Sequence, residues 1–258
     1  MNVILHQDKL DVGLIGIQVI NMPTSREHIA RVHIRREGEP EYHYKIRNEN
    51  KKYYPLPHGN GKYVVEVIGQ TSLNVRNTLL IKDLYLNVPN PDIVFTQPNV
   101  NMDYNSNDVP IIIAKTIPNF QDITKFISQH FSYNHYLANE IRRNNGKYDY
   151  VPDIQGIWNN KKDICFGLTS LLNSMLRSVG IPAKMIHGYV KFMDYNYHCW
   201  SEVYIDGNDF AKSTKQAVGF TREIGPDWML YDITMTLQNR QLLDGFQNRP
   251  NYMSRFVY

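Results

Sequence analysis

The chain has only two cysteines, Cys165 and Cys199, among its 258 residues. Two thiols cannot build a disulfide scaffold or a four-cysteine zinc site. No apolar run approaches the ~18 residues that a membrane-spanning helix needs, so no membrane span is expected. Charge of one sign is scarce as well: 28 Lys and Arg stand against 25 Asp and Glu, a formal net charge of +3. The basic pairs Arg35-Arg36, Lys51-Lys52, Arg142-Arg143 and Lys161-Lys162 are scattered along the chain. A nucleic-acid partner requires a clustered basic face, so none is expected. The opening Met1 to Leu5 is apolar but breaks at His6-Gln7-Asp8-Lys9, too short for the core of a secretory leader. The expectation is a cytoplasmic chain, with a trimmed, secreted form as the alternative. Of the nine histidines, His130 and His135 stand at a short ligand-like spacing, but no metal or cofactor is expected.

What is present is enough for a core: 42% of the residues are apolar, sufficient at this length for one large domain or two small ones. The first hundred residues read as strands. Val12 to Ile20 is β-branched around two glycines, and His28 to Ile34 alternates. Glu41 to Ile46, Lys62 to Ile68 and Leu79 to Val88 follow, separated by turn-forming clusters such as Pro57-His58-Gly59-Asn60-Gly61. Short strands at close spacing point to a β-sandwich-like domain, expected over residues 1–97. Phe95 to Pro110 is rich in Asn, Asp and Pro and reads as a linker. Beyond it the period changes from two to 3.6. Ile123, Phe126, Ile127 and Phe131 share a helix face. So do Cys165, Leu168, Leu171, Leu172, Met175, Leu176 and Val179, with Asp163 as the expected N-cap and Gly180 and Pro182 as the stop. Ala183 to Val190, His198 to Ile205 and Trp228 to Asp232 read as strands. A second domain is expected over residues 98–236, and residues 237–258 as a docked C-terminal tail.

Three residues carry chemistry. Cys165 falls at the second or third position of its helix, where free N–H groups and the positive end of the dipole favour thiolate over thiol. A small buried apolar side chain is the alternative reading. His198 opens a strand in which His198, Trp200 and Glu202 share one face and Cys199, Ser201 and Val203 the other; it is placed to act as a general base. His187 competes but lies in mid-strand. Asp232 closes the next strand, where an acceptor can hold an imidazole in one tautomer.

Their order and setting resemble the transglutaminase-like superfamily. The resemblance rests on Cys165-Phe166-Gly167-Leu168, on Leu176-Arg177-Ser178-Val179-Gly180-Ile181-Pro182-Ala183-Lys184, and on Gly188-Tyr189-Val190. Tyr197-His198-Cys199-Trp200-Ser201-Glu202-Val203-Tyr204-Ile205 and Trp228-Met229-Leu230-Tyr231-Asp232-Ile233-Thr234 complete it. The segment Tyr54 to Tyr63 is similar to an N-terminal region found with this core in some bacterial members. Three positions depart from the family pattern. Asp163 stands where a glycine is common, Cys199 replaces Ala in His-Ala-Trp, and Ile233 replaces Pro in Asp-Pro-Thr. None removes Cys165, His198 or Asp232, but an Asp163 carboxylate would compete with the thiolate for the helix end.

The resemblance implies an α+β, papain-like core, in which a helix carrying the cysteine packs on an antiparallel sheet carrying His and Asp. It implies acyl transfer at amides of a protein or peptide substrate through a Cys165-His198-Asp232 triad. Hydrolysis of a peptide or isopeptide is the leading outcome; transamidation to a lysine amine, or a non-catalytic binding module, are the alternatives. No calcium-loop pattern accompanies the triad. The oxyanion would be held by the Cys165 N–H and a second, upstream donor, for which Gln155, Trp158 and Asn159 are candidates. Trp158 and Trp200 are candidates for the walls of a substrate groove. The oligomeric state is left open.

Overall fold

The computed structural model describes residues 1–23, 29–46, 48–70, 76–143, 150–191, 196–205, 228–238 and 249–258. The chain divides into two compact units, Met1–Val100 and Asn101–Tyr258.

The first unit is built from two antiparallel sheets. One takes β1 (Asn2–His6), β2 (Leu14–Ile20) and β5 (Lys52–Pro55) in that spatial order. The other orders β4 (Tyr42–Ile46), β3 (Ile29–Arg35), β6 (Gly61–Gln70) and β7 (Arg76–Leu86). Alternation decides which face is buried. Ala30, Val32 and Ile34 of β3 and Tyr42, Tyr44 and Ile46 of β4 are buried, whereas Arg31, His33, Arg35, His43 and Lys45 turn outward. The two sheets meet through their inner faces: the Tyr44 ring stands edge-on to Tyr54 of β5 at 4.9 Å between centroids. Strands β1 and β5 were not expected, because polar residues crowd their short apolar stretches. The Asn-rich stretch read as a linker contains the division between the two units, and parts of it are packed. Asn99, Asn101 and Met102 are buried, and the Val100 N–H bonds the Tyr53 carbonyl at 2.8 Å. Side-chain amides that bond locally satisfy such a segment without a regular element.

The second unit contains α1 (Val109–Thr116), α2 (Phe120–His130), β8 (Ser132–Tyr133), α3 (His135–Arg143), α4 (Ile154–Asn160) and β9 (Lys162–Asp163). After them come α5 (Cys165–Ser178), β10 (Ala183–Val190), β11 (Asn196–Tyr204), β12 (Trp228–Tyr231), α6 (Ile233–Gln238) and β13 (Tyr252–Val257). The main sheet is antiparallel, in the order β12-β11-β10-β13. This is the expected arrangement of a Cys-bearing helix on a sheet that carries His and Asp. Helix α5 buries Leu168, Leu171, Leu172, Met175 and Leu176 completely, against Val203 and Ile205 on one side and Ile123, Ile127 and Ile157 on the other. Each such side chain contributes about 1.5–3 kcal/mol relative to exposure. The helix is thus held by its apolar sides, and at its N-terminus Cys165 and Phe166 pack against a smaller cluster of Met102, Met185 and Cys199.

Two expectations change here. Asp163 is not the N-cap of α5. The cap is Ile164, without a side-chain bond, and Cys165 is the first helical residue. The Asp163 carboxylate instead accepts the Ile164 N–H at 2.6 Å. The reason is β9: pairing of Tyr133 with Asp163 in a short parallel ladder holds the Asp163 main chain extended, one residue too early to cap. The C-terminal segment is also more than a docked tail, since β13 pairs with β10 as an edge strand of the main sheet. A buried arginine ties it down. Arg177, near the C-terminus of α5, donates to the Ala183 carbonyl and, at 2.8 Å, to the main-chain oxygen of Tyr258.

Candidate active site

Cys165 sits at the start of α5, half-buried, and both cysteines are free. The turn that delivers it depends on Gly167. A Cβ there would fall 2.5 Å from the Asp163 carboxyl carbon and the Tyr150 hydroxyl, a distance no side chain tolerates. The glycine therefore lets β9 and α5 meet at a sharp angle with Cys165 at the bend. Burial pushes the Asp163 carboxyl pKa up, only partly offset by the Ile164 N–H and the Tyr150 hydroxyl. That shift toward the neutral acid lessens the competition with a thiolate at the same helix end.

His198 lies in β11 and is buried. Its Nε2 is 2.8 Å from Asp232 Oδ2. Burial alone would lower the His198 pKa, but the Asp232 carboxylate, and next the negative charge of Cys165, outweigh it and raise it to about 10. With Nε2 engaged by Asp232, Nδ1 is the nitrogen left for the Cys165 thiol. Burial would likewise raise Asp232, yet the His198 charge and a set of hydrogen bonds hold it below the ordinary carboxylate value.

The aspartate is fixed by the element that follows it. Its Oδ1 accepts the main-chain N–H groups of Thr234 (3.1 Å) and Met235 (3.2 Å) and the Thr234 hydroxyl (2.7 Å). One carboxylate oxygen therefore caps α6 while the other faces the imidazole. The sequence reading missed this short helix, although Asp followed by Thr two residues later is a capping signal. Substitution of Ile233 for the family's proline leaves the turn intact. Oδ2 also accepts the Tyr252 hydroxyl at 3.1 Å. Tyr252 comes from β13, 20 residues away, and no local pattern announced it. Gly188, opposite His198 in the β10–β11 register, makes room for this strand: a Cβ there would strike the Met253 carbonyl and the Trp200 ring.

The remaining candidates are placed elsewhere. Gln155 donates to Asn159 at 3.1 Å and accepts the Val109 N–H at 3.3 Å. Trp158 stacks on Phe126 at 5.7 Å and packs against Phe131 and the helical core. Neither Gln155, Trp158 nor Asn159 has a described contact with Cys165 or His198. Trp200 is fully buried beneath His198, with ring centroids 6.4 Å apart, and edge-on to Tyr252; it supports the histidine rather than walling a groove. His187 is ringed by Phe166, Tyr197 and Tyr258, and burial drives its pKa down to about 3. Cys199 is buried with Met102 and Met185, and burial pushes its thiol well above its ordinary value.

Tyr133 was missed. The β8–β9 pairing brings it beside the residues leading into Cys165, and its half-buried hydroxyl interacts with the Cys165 main chain and feels the charges of Cys165 and Asp232. The signal in the sequence was slight: a two-residue strand has no periodicity to read.

Residues 115–213 match the family model of the transglutaminase-like superfamily, a span that contains Cys165 and His198. Over that stretch the chain is similar to a transglutaminase-like core, and the second unit combines a mostly antiparallel arrangement of strands with helices. No curated protein matches its sequence. Among solved structures, the chain aligns with a candidate cysteine protease from Cytophaga hutchinsonii at 12% identity and a TM-score of 0.46, covering 100% of this chain and 77% of that one. It aligns with the periplasmic domain of TgpA from Pseudomonas aeruginosa at 11% identity and 0.38, covering 94% and 98%. A third alignment is with red sea bream transglutaminase at 12% and 0.31, covering 86% of this chain but 48% of that one.

Proposed function

We propose that the protein is a cysteine-dependent acyltransferase acting at amide bonds of a peptide or protein, with water as the usual acceptor, that is, a cysteine peptidase. The observation that carries this reading is the buried His198–Asp232 pair at 2.8 Å with Cys165 at a helix start as the second charge on the imidazole. His198 Nδ1 takes the thiol proton, and the Cys165 sulfur bonds to the substrate carbonyl carbon. The carbonyl oxygen becomes an oxyanion, held by the Cys165 N–H and by the Tyr133 hydroxyl in place of the side chains of α4. Collapse expels the amine, which leaves with the proton from His198. Water then attacks the thioester, gives its proton to His198, and the thiolate departs with the acid released. Asp232 keeps the imidazole in the required tautomer throughout.

Transamidation runs through the same acyl-enzyme. It needs a groove that admits an amine stem and excludes water, and the two tryptophans considered for its walls are engaged elsewhere. That favours hydrolysis. The test is a glutamine-bearing peptide library incubated with and without a millimolar primary amine. Chain cleavage or deamidation should dominate; dominant amine incorporation overturns the choice of acceptor. Tyr133→Phe should lower kcat by ~100-fold or more, the usual cost of one oxyanion donor. Alkylation of Cys165 by iodoacetamide, which forms no oxyanion, should stay unchanged.

A further inference from the structure

Away from the cysteine, the outward face of the sheet containing β3 and β4 gathers three metal-ligating side chains. His33 of β3 and His43 of β4 are directly opposed in the antiparallel register, and Glu41 lies two residues before His43, on the same side by strand alternation. The two rings meet at 4.3 Å between centroids. Glu41 bridges them, with Oε1 3.1 Å from His33 Nδ1 and Oε2 3.9 Å from His43 Nε2. One ligand atom from each residue lies within 4.8 Å of the other two. Among the described residues, no other set of three His, Cys, Asp or Glu side chains converges in this way. The His130 and His135 pair suggested by spacing does not: His130 Nδ1 bonds the Phe126 carbonyl at 2.8 Å within its own helix.

We propose that His33, Glu41 and His43 bind one divalent transition ion of the zinc class on this sheet face. Two imidazoles and one carboxylate are the donor set of three-ligand zinc sites, which leave a position open to water. Metal–ligand bonds of about 2.0–2.2 Å place neighbouring donors roughly 3.3 Å apart in a tetrahedron. The His33–Glu41 separation already matches this, and His43 closes the remainder by a side-chain rotation at the partly exposed edge strand β4. Among the described residues, the other charged groups on this face include Arg31, Arg35, Lys45, Glu66, Lys62 and Asp83, and Lys62 pairs with Asp83 at 2.6 Å. Arg35 is paired with Glu66 at 3.2 Å, so the cations oppose a dication less than their number suggests, and the affinity should be moderate.

The experiment is calorimetric titration of Zn2+ into the full chain at pH 7.5, in a Cys165→Ser background so that the thiol cannot bind the metal. About one ion per chain should bind. Loss of a residue that merely orients a ligand typically costs ~10–100-fold in affinity, so His33→Ala and His43→Ala should each cost at least about that much. Glu41→Gln should weaken binding less, and His130→Ala should not change it. Circular dichroism checks that each variant is folded. Because His43 is half exposed, His43→Gln gives a second variant with little structural burden. Absence of binding to the parent, or binding that survives the His33→Ala/His43→Ala double change, overturns the proposal.

Discussion

Asp232→Asn isolates the part of the site that tunes the histidine. The three donors on Oδ1, from the Thr234 N–H, the Thr234 hydroxyl and the Met235 N–H, fix which way an asparagine must turn. Its carbonyl oxygen keeps those bonds, and its NH2 group replaces Oδ2 and points at His198 Nε2 and the Tyr252 hydroxyl. His198 must then accept at Nε2 and carry its proton on Nδ1, the nitrogen that faces the thiol. It can no longer take the thiol proton. The carboxylate is the strongest influence raising the His198 pKa to about 10; without it, burial draws the imidazole down. A hydrogen bond to a charged group is worth about 1.5–3 kcal/mol, or ~10- to 200-fold at 1.4 kcal/mol per decade. The rate of Cys165 alkylation by iodoacetamide at pH 7 should fall by that factor, and turnover of any substrate should fall at least as far. The cap on α6 survives, so far-ultraviolet dichroism should not change. An alkylation rate within twofold of the parent would refute the reasoning, because the imidazole would then be held by some other acceptor.

Three further outcomes are expected. Tyr252→Phe removes the second bond to Asp232 Oδ2 and should cost about 1–3 kcal/mol in urea unfolding, with a smaller loss of turnover than Asp232→Asn; an unchanged unfolding midpoint would contradict that bond. Gly188→Ala places a methyl group against the Met253 carbonyl and Trp200, and should cost about 3 kcal/mol or more and expose β13 to hydrogen exchange ahead of β10; wild-type exchange in β13 would count against the packing. The raised His198 pKa makes a stability contribution that is complete below about pH 6.5 and is lost as pH climbs toward 10. The lowered Asp232 pKa acts in the opposite direction, contributing above its ordinary 3.8 and failing as pH falls below it. Urea midpoints measured from pH 6.5 to 10 should therefore decline more steeply for the parent than for His198→Gln, and parallel curves would refute the assignment.

Much of the second unit was legible from sequence because its elements are long and periodic. Helix α5 buries an apolar stripe, and β10 and β11 are buried on both faces through Met185–Gly188 and His198–Ser201. The three candidates Cys165, His198 and Asp232 could be singled out because each stands at or near the end of such an element. What escaped notice lies across the chain rather than along it. Tyr252 reaches Asp232 through the pairing of β13 with β10, Tyr133 reaches Cys165 through a two-residue ladder, and His33 meets His43 only when a hairpin folds. Short helices such as α6 escaped because capping, more than periodicity, defines them. For the aromatic candidates, sequence allows both a groove wall and core packing, packing being the more ordinary reading of Trp158, and the contacts of Trp158 and the burial of Trp200 are those of packing.

We propose Cys165 as the nucleophile and His198 as the base that activates it. The most direct measurement is intact-mass and peptide mapping of the native protein after a limiting dose of a peptidyl vinyl ester near pH 7, in parallel with His198→Ala. A single adduct on Cys165, none on the buried Cys199, and little labelling of folded His198→Ala are the predicted results. Equal labelling of Cys199, or of Cys165 in the histidine variant at the parent's rate, would contradict the account.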